Sequence, residues 1–563
     1  MEPKSPSKAK LPTLPFFHQF RPFKLATTIL TVLLLILIGY YLIHNHEFAT
    51  NSTNSSYFTV VLDCGSSGTR VNVYEWVPTN GITSNNNRNL ELPILLHTFP
   101  DNSTKIDDRK DGCAYHCMQT EPGLDKFVGN ASGVKGAIEP LIRRAENWVP
   151  YEKHKRTPIF VLATAGLRRL DKEIANRVLD DIEDVVKLHE FKFRKDWIRV
   201  LSGEEEAYYG WIALNRHMGT FGSSSRLDTL GLLDLGGSSL QVATEIKQPT
   251  VNDRDVFRSK IGSFEHEIMA ASLPAFGLNE AFDRTVVMLS YSQSFLERGF
   301  GSFEIAHPCL GSEFTQNYTC HGCFEGNLTK KLRKNNDFVI NIVGKPNWEK
   351  CKLLARAAAV NLSSSSDWSK LSDDSYCAGL SSINGESILN SVGKTQSVAR
   401  FHALSGFFAV YNLLNLNSST NLSNIWEKGQ ELCSRSLSGL TKMPINQKYA
   451  DFLCFRVPYM VSLLENTLCV GDKEIIFGPG DVSWTLGAAM VEGKDLWFSG
   501  SDTSKASLIS YLRFKRIIFS PLFLFVVLAF LLFAVYYSQV KLPMLGRKVT
   551  SLPSYIGPKR RPI

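Results

Sequence analysis

Short runs of β-branched and aromatic residues at 57–63 and 71–76 flank a Gly/Ser-rich turn, the pattern of a β-hairpin. Residues 157–164 form a brief apolar run, which predicts a strand buried on both faces. From 170 to 188 the apolar positions recur at helical spacing, so an amphipathic helix is expected there. A second strand–turn–strand pattern occupies 227–246. The aromatic-rich stretch 401–411 reads for the most part as a packed helix. Asn-rich 79–89, Gly/Ser-rich 220–227 and Ser-rich 361–367 read as surface loops. Strands alternating with helices from 57 to about 510 place this region among α/β proteins with mixed sheets.

Two stretches depart from that pattern. Residues 25–43 and 517–540 carry no charged side chain, and a membrane span needs about 20 apolar residues. Two transmembrane helices are therefore expected. Charge then fixes a direction. The 563-residue chain has a net charge of +8, but residues 1–24 carry +4 and residues 541–563 carry +6, which leaves −2 for the body between. Basic flanks stay on the cytoplasmic side, so both termini are expected there, with a two-pass topology. A near-neutral body gives no reason to expect a nucleic-acid partner. Nine glycosylation sequons, at Asn51, Asn54, Asn102, Asn130, Asn317, Asn327, Asn361, Asn417 and Asn421, all lie between the two apolar stretches. Ten of the eleven cysteines form an even set suited to disulfides, with Cys64 the odd one. Both signals place the body in the lumen of the secretory pathway (the Golgi, for instance) or outside the cell.

The chain contains one internal echo. Leu62-Asp63-Cys64-Gly65-Ser66-Ser67 resembles Leu233-Asp234-Leu235-Gly236-Gly237-Ser238. Each places an aspartate at a strand end, then a glycine-rich turn, then a second strand. Two such units suit two similar lobes, each offering one turn to a shared cleft. A glycine-rich turn bares successive backbone N–H groups, which make an anion site suited to phosphates. Gly65, Ser66, Ser67, Gly68 and Thr69 form one candidate phosphate grip; Gly236, Gly237 and Ser238 form the other. A carboxylate beside phosphate makes sense with a divalent cation between them, so Asp63 and Asp234 are candidate metal holders through water. Thr164 and Ala165, after the third strand, offer a further hydroxyl and a close approach; Thr164 also suits a helix N-cap. Ser202 and Glu205 have capping-box spacing, and one acid of the run Glu204-Glu205-Glu206 is a candidate general base. Spacing alone does not choose among them. Ser239 and Gln241 share one strand face and can orient a water. One ring of 401–411 can stack on a nucleobase.

Taken in order, the segments 60–76, 158–170, 197–215, 231–245 and 401–416, the last followed by 482–490, resemble the five apyrase-type regions of the nucleoside triphosphate diphosphohydrolase (apyrase) family. The resemblance implies two ribonuclease-H-like lobes of the actin, heat-shock-ATPase and sugar-kinase group around a nucleotide cleft. It implies metal-dependent hydrolysis of nucleoside tri- or diphosphates with Ca²⁺ or Mg²⁺, and it aligns Glu206 with the family's water-activating acid. Ser239 and Gln241 would position that water, and Phe408 would stack on the base. Cys64 departs from the family's usual small residue, and a thiol beside the phosphate turn is expected to be sensitive to oxidation. Gly68-Thr69-Arg70 is closer to plant and intracellular members than to animal cell-surface ones. A catalytically inactive, nucleotide-binding membrane glycoprotein is the alternative. The expected division is a basic tail at 1–24, a span at 25–43, a stalk at 44–56, a first lobe at 57–202 completed by about 475–510, a second lobe at 203–474, a span at 517–540 and a tail at 541–563. Self-association through the spans is possible in such a design.

Overall fold

The computed structural model describes residues 56–77, 92–100, 118–221, 227–246, 256–262, 264–292, 303–318, 340–362, 368, 400–417, 421–434, 451–471 and 473–493. All lie in one of the two units into which the chain divides, Ser56–Trp497. The apolar stretches 25–43 and 517–540 and the basic tails lie outside the described residues. Among the described residues no helix is long and apolar enough to cross a membrane.

The first sheet holds β1 (Tyr57–Cys64), β2 (Thr69–Val77), β3 (Ile94–Phe99), β4 (Gln119–Thr120), β5 (Ile159–Ala163) and β6 (Ile198–Val200). Its order is β3-β2-β1-β5-β6, with β4 paired to β2. β1, β2 and β3 run antiparallel, whereas β5 and β6 continue parallel to β1. The second sheet holds β7 (Gly231–Leu235), β8 (Leu240–Glu245), β9 (Val256–Ile261), β10 (Phe264–Leu273), β14 (Arg400–Ser405) and β15 (Glu474–Phe477), in the order β15-β14-β7-β8-β10-β9. Again an antiparallel hairpin leads, and two parallel strands follow on its other side. Apart from β4 and β9, the two sheets share one connectivity, so the sequence echo is an echo of the fold. A small third sheet joins β11 (Phe303–His307), β13 (Ile340–Gly344) and β12 (Thr315–Tyr318).

Five layers follow from where the apolar side chains point. On one face of the first sheet, Val60, Leu62 and Val161 pack on helices Ala131–Trp148 and Lys172–Val186 through Ile138, Ile142, Val178 and Ile182. The second of these is the amphipathic helix expected from its spacing. On the other face, Val61, Phe160 and Leu162 meet Trp211 of helix Gly203–His217 and Trp484 of the helical segment 484–493. Those two helices also cover Leu232, Ala243 and Leu404 of the second sheet. The far face of that sheet packs on helices Leu278–Ser292, Trp348–Ala359, Gly406–Leu413 and Leu453–Ser462. One helical layer is thus shared by both sheets, and it fixes their spacing.

The segment 401–411 is strand first and helix second. β14 lies between two parallel neighbours with Phe401, His402, Ala403 and Leu404 all buried, so its apolar run lacks the alternation that marks a half-exposed strand. Since β15 extends the second sheet, the chain's return to the first comes after it. In that return Thr485 hydrogen-bonds Tyr74 of β2 at 2.7 Å, and Glu492 pairs with Arg199 at 3.0 Å. Disulfides Cys309–Cys351 and Cys433–Cys454 form, and Cys469 is also disulfide-bonded.

Candidate active site

Both glycine turns close in the same way. The Gly65 N–H donates to the Gly68 carbonyl at 3.0 Å, and the Gly236 N–H donates to the Ser239 carbonyl at 2.9 Å. A Cβ on Gly65 or on Gly236 would stand 3.1 Å from that same carbonyl oxygen, so only glycine closes either turn without strain. The turns face one another: a Cβ on Gly237 would come within 3.6 Å of Ser66 Oγ. Backing the second turn, helix Leu278–Ser292 begins by donating Leu278 N–H to the Gly236 carbonyl and Asn279 N–H to the Gly237 carbonyl. Those carbonyls are thereby satisfied from behind.

The β pleat sorts the first hairpin's side chains. Asp63 stands opposite Arg70 in register, and Cys64 opposite Thr69. Cys64 and Thr69 are both fully buried, and the Cys64 thiol sits in the core with Leu62 and Val71. Burial pushes that thiol far up from its ordinary range. This corrects the expected oxidation sensitivity, because a buried neutral thiol is inert. It also separates the Thr69 side chain from Ser66 and Ser67, which remain at the turn's surface. The face carrying Asp63 is the polar one. Arg70 Nη1 donates to Asp63 Oδ2 at 3.3 Å, and Arg70 Nε donates to Gln119 Oε1 at 2.8 Å.

The second hairpin repeats the register with different chemistry. Asp234 stands opposite Gln241, and Gln241 stands opposite Ser272 of β10. Gln241 Nε2 donates to Ser239 Oγ at 2.6 Å. Ser239 and Gln241 are thus brought together as their spacing implies, and both are buried. Ser405 hydrogen-bonds Asp234. Burial raises both aspartates above the usual carboxylate range, and Asp234 adds to the push on Asp63. These are oxygen donors at equivalent strand ends, the chemistry of a hard cation that keeps part of its water shell. Among the described residues no three His, Cys, Asp or Glu side chains form a fuller cage.

The three acids of helix Gly203–His217 part ways. Glu205 completes the capping box, accepting from Ser202 N–H at 2.8 Å while Ser202 Oγ accepts from Glu205 N–H at 3.1 Å. It also pairs with Arg199 at 2.8 Å. Glu206 is the acid electrostatically coupled to Asp63 and Asp234. Burial pushes its carboxyl up to about 7, against the pull of Arg168, whose Nη2 donates to Glu206 Oε2 at 2.6 Å. A carboxyl poised near neutrality beside two further carboxylates fits a general base.

Thr164 precedes the short helix Ala165–Arg168, and its side chain makes no capping bond. Its N–H instead donates to the Cys64 carbonyl at 3.1 Å. A Cβ on Gly166 would stand 3.0 Å from Ser66 Cα, so this helix start abuts the first turn alongside Ala165. Phe408, half-buried on helix Gly406–Leu413, sets its ring against the loop of Gly478 and Gly480, near enough to Gly478 that a Cβ there would lie 3.2 Å from the ring.

Sequence reading missed Arg70, Arg168 and Ser405. Ser405 ends β14 and precedes a helix, much as Thr164 follows β5 and precedes one, and it holds φ 51° and ψ −113°, a strained backbone for serine. The parallel between Thr164-Ala165-Gly166 and Ser405-Gly406 was the available signal.

Known proteins show what the chain as a whole resembles. Residues 49–505 match the GDA1/CD39 (nucleoside phosphatase) family. Probable apyrase 7 of Arabidopsis thaliana is 36% identical over 479 residues, covering 84% of this chain and 62% of the relative. Human ectonucleoside triphosphate diphosphohydrolase 3 is 25% identical, covering 83% of each. A crystal structure of nucleoside triphosphate hydrolases from Neospora caninum superposes with a TM-score of 0.50 at 15% identity, over 80% of this chain and 95% of that one, a likeness of fold. With two matching sheets, two facing turns and the family match across most of its length, the chain belongs to the GDA1/CD39 nucleoside phosphatase family.

Proposed function

We propose that this protein hydrolyses nucleoside tri- and diphosphates to lower phosphates and orthophosphate, by in-line attack of a water that Glu206 deprotonates. The observation that carries the reading is Glu206 itself, a largely buried carboxyl raised to about 7 and coupled to the two aspartates that precede the two glycine turns. Ser239 and Gln241, already bonded to each other, orient the water. Gly65, Ser66, Ser67 and Gly68 grip phosphates from one lobe, and Gly236, Gly237 and Ser238 from the other. Thr69, whose side chain is buried, closes the first turn. Thr164 adds a hydroxyl beside Ser66, and Ala165 leaves room for the phosphate. Phe408 stacks on the nucleobase. Asp63 and Asp234 would hold Ca²⁺ or Mg²⁺ through waters, and such an ion supplies charge stabilisation for the transferring phosphoryl group.

The body, with lobes divided near residue 203, is read as luminal or extracellular and as anchored by two spans at 25–43 and 517–540. Its sequons, with Asn130, Asn317, Asn417 and Asn421 exposed, and its disulfides support that placement. The test is free phosphate released by the full chain from ATP, ADP, UTP, UDP, GDP and AMP, with Ca²⁺, Mg²⁺ or a chelator, beside Glu206→Gln. Release from di- or triphosphates but not AMP, lost with chelator and in the variant, is expected. Nucleotide binding without release would instead make the chain an inactive binding glycoprotein.

A further inference from the structure

In each of the two large sheets three strands carry one polar line in register. In the first the line is Asp63–Arg70–Gln119, in register across β1, β2 and β4. In the second it is Asp234–Gln241–Ser272, across β7, β8 and β10. Only the first contains a cation. Arg70 is fixed from both sides, by Asp63 at 3.3 Å and by Gln119 at 2.8 Å, and Gln119 Nε2 in turn donates to Glu121 Oε1 at 2.8 Å. Its side chain is 27% exposed, against 7% for Asp63, so the guanidinium is the more solvent-accessible member of the pair. Its field also reaches Asp234. Glu206 has a cation of its own in Arg168. Asp234 is hydrogen-bonded by the neutral Ser405 and faces the neutral Gln241.

We propose that Arg70 is the resident counter-ion of the nucleotide-free cleft: it occupies Asp63 and holds off a lone divalent cation, so that the ion is taken up together with the polyphosphate. The inference rests on reading Asp63 and Asp234 as the metal-holding pair. The physical reason is charge. A divalent ion approaching Asp63 alone meets a guanidinium pinned within hydrogen-bond reach of the same carboxylate, and like charges at that range repel in a partly buried site. A metal–polyphosphate complex carries anionic oxygens that give Arg70 a new partner, and the repulsion turns to attraction.

The experiment measures Mn²⁺ binding to the full-length protein from the electron paramagnetic resonance signal of the free ion, with and without the β,γ-imido analogue of ATP. Wild-type protein is expected to bind Mn²⁺ weakly alone and about tenfold or more tightly with the analogue; Arg70→Gln is expected to bind Mn²⁺ alone about tenfold more tightly, with the analogue's enhancement reduced. Arg70→Lys, which keeps the charge, is expected to follow wild type. Equal affinities in wild type and Arg70→Gln, in both conditions, would overturn the proposal. Asp63→Asn separates the two layers of the argument. If it binds Mn²⁺ with the analogue as wild type does, the metal assignment fails and Arg70's role goes with it. If it loses that binding while Arg70→Gln changes nothing, only the role of Arg70 fails. Should Arg70→Gln not fold, Gln119→Ala loosens the arginine without removing it. Mn²⁺ affinity without nucleotide then rises if the proposal holds, and an unchanged affinity sinks it.

Discussion

The two hairpins are one backbone device carrying two chemistries. Both turns close with an N–H···O bond from their first glycine, and both put an aspartate opposite the residue seven positions on. That residue is Arg70 in the first lobe and Gln241 in the second. The first hairpin therefore manages charge, through Arg70 and Gln119, and the second manages hydrogen-bond direction, through Gln241, Ser239 and Ser272. Near-symmetry of the fold supplies two equivalent glycine turns, and one cross-strand position, Arg70 against Gln241, breaks that symmetry.

The strongest challenge to this comparison is at Glu206, the acid coupled to both aspartates. Glu206→Gln is expected to lower kcat by about 10²–10⁴ while nucleotide still binds, as read by phosphate release against equilibrium binding. An active variant would leave the hairpins without a shared base. Next, Gln241→Leu strips the second lobe of its directional donor and leaves Ser239 Oγ without it. A fall of roughly ten- to hundredfold in kcat is expected, with the melting temperature little changed; a loss confined to KM would mean that Gln241 grips substrate and does not direct the water.

Third, glycine-to-alanine changes distinguish the turns by what surrounds them. A Cβ on Gly68 would stand 2.5 Å from the Thr120 backbone oxygen, whereas one on Gly237 meets the Asn279 side chain at 3.0 Å. Backbone yields less readily than a side-chain tip, so Gly68→Ala is expected to cost about 1–3 kcal/mol in denaturant unfolding, and Gly237→Ala much less, with a raised KM. Fourth, the acid limb of kcat should lie near the Glu206 value of about 7, with activity rising as pH climbs through it, since the base works ionised. Arg168 lowers that value, so Arg168→Met should move the limb to higher pH. A limb that stays in place would show that the pair at 2.6 Å does not control the base. The smallest effect concerns Cys64. Native protein should resist thiol reagents until unfolded, and modification without loss of structure would contradict its burial.

Much of this was legible in the chain. The hairpins announced themselves because glycine and serine between two β-branched runs admit few other folds. The capping box at Ser202 and Glu205 was equally local. The choice of Glu206 came from resemblance, since adjacent acids on a helix differ only in the direction they face. The strand at β14 was hidden by its burial on both sides. Arg70 with Gln119 and Arg168 with Glu206 are partners 49 and 38 residues apart, and no local pattern reports such pairs.

The sequence by itself determined the α/β class, the two glycine turns with their aspartates, and the family to which they point, because each depends on neighbours within a few residues. Only the tertiary structure decided which acid lies within electrostatic reach of the two aspartates, that Cys64 and the Thr69 side chain turn into the core, and that a cation pairs with one aspartate while neutral groups face the other. Those outcomes depend on strand register and on the layer of helices shared by the two sheets, and both are set by packing between distant segments.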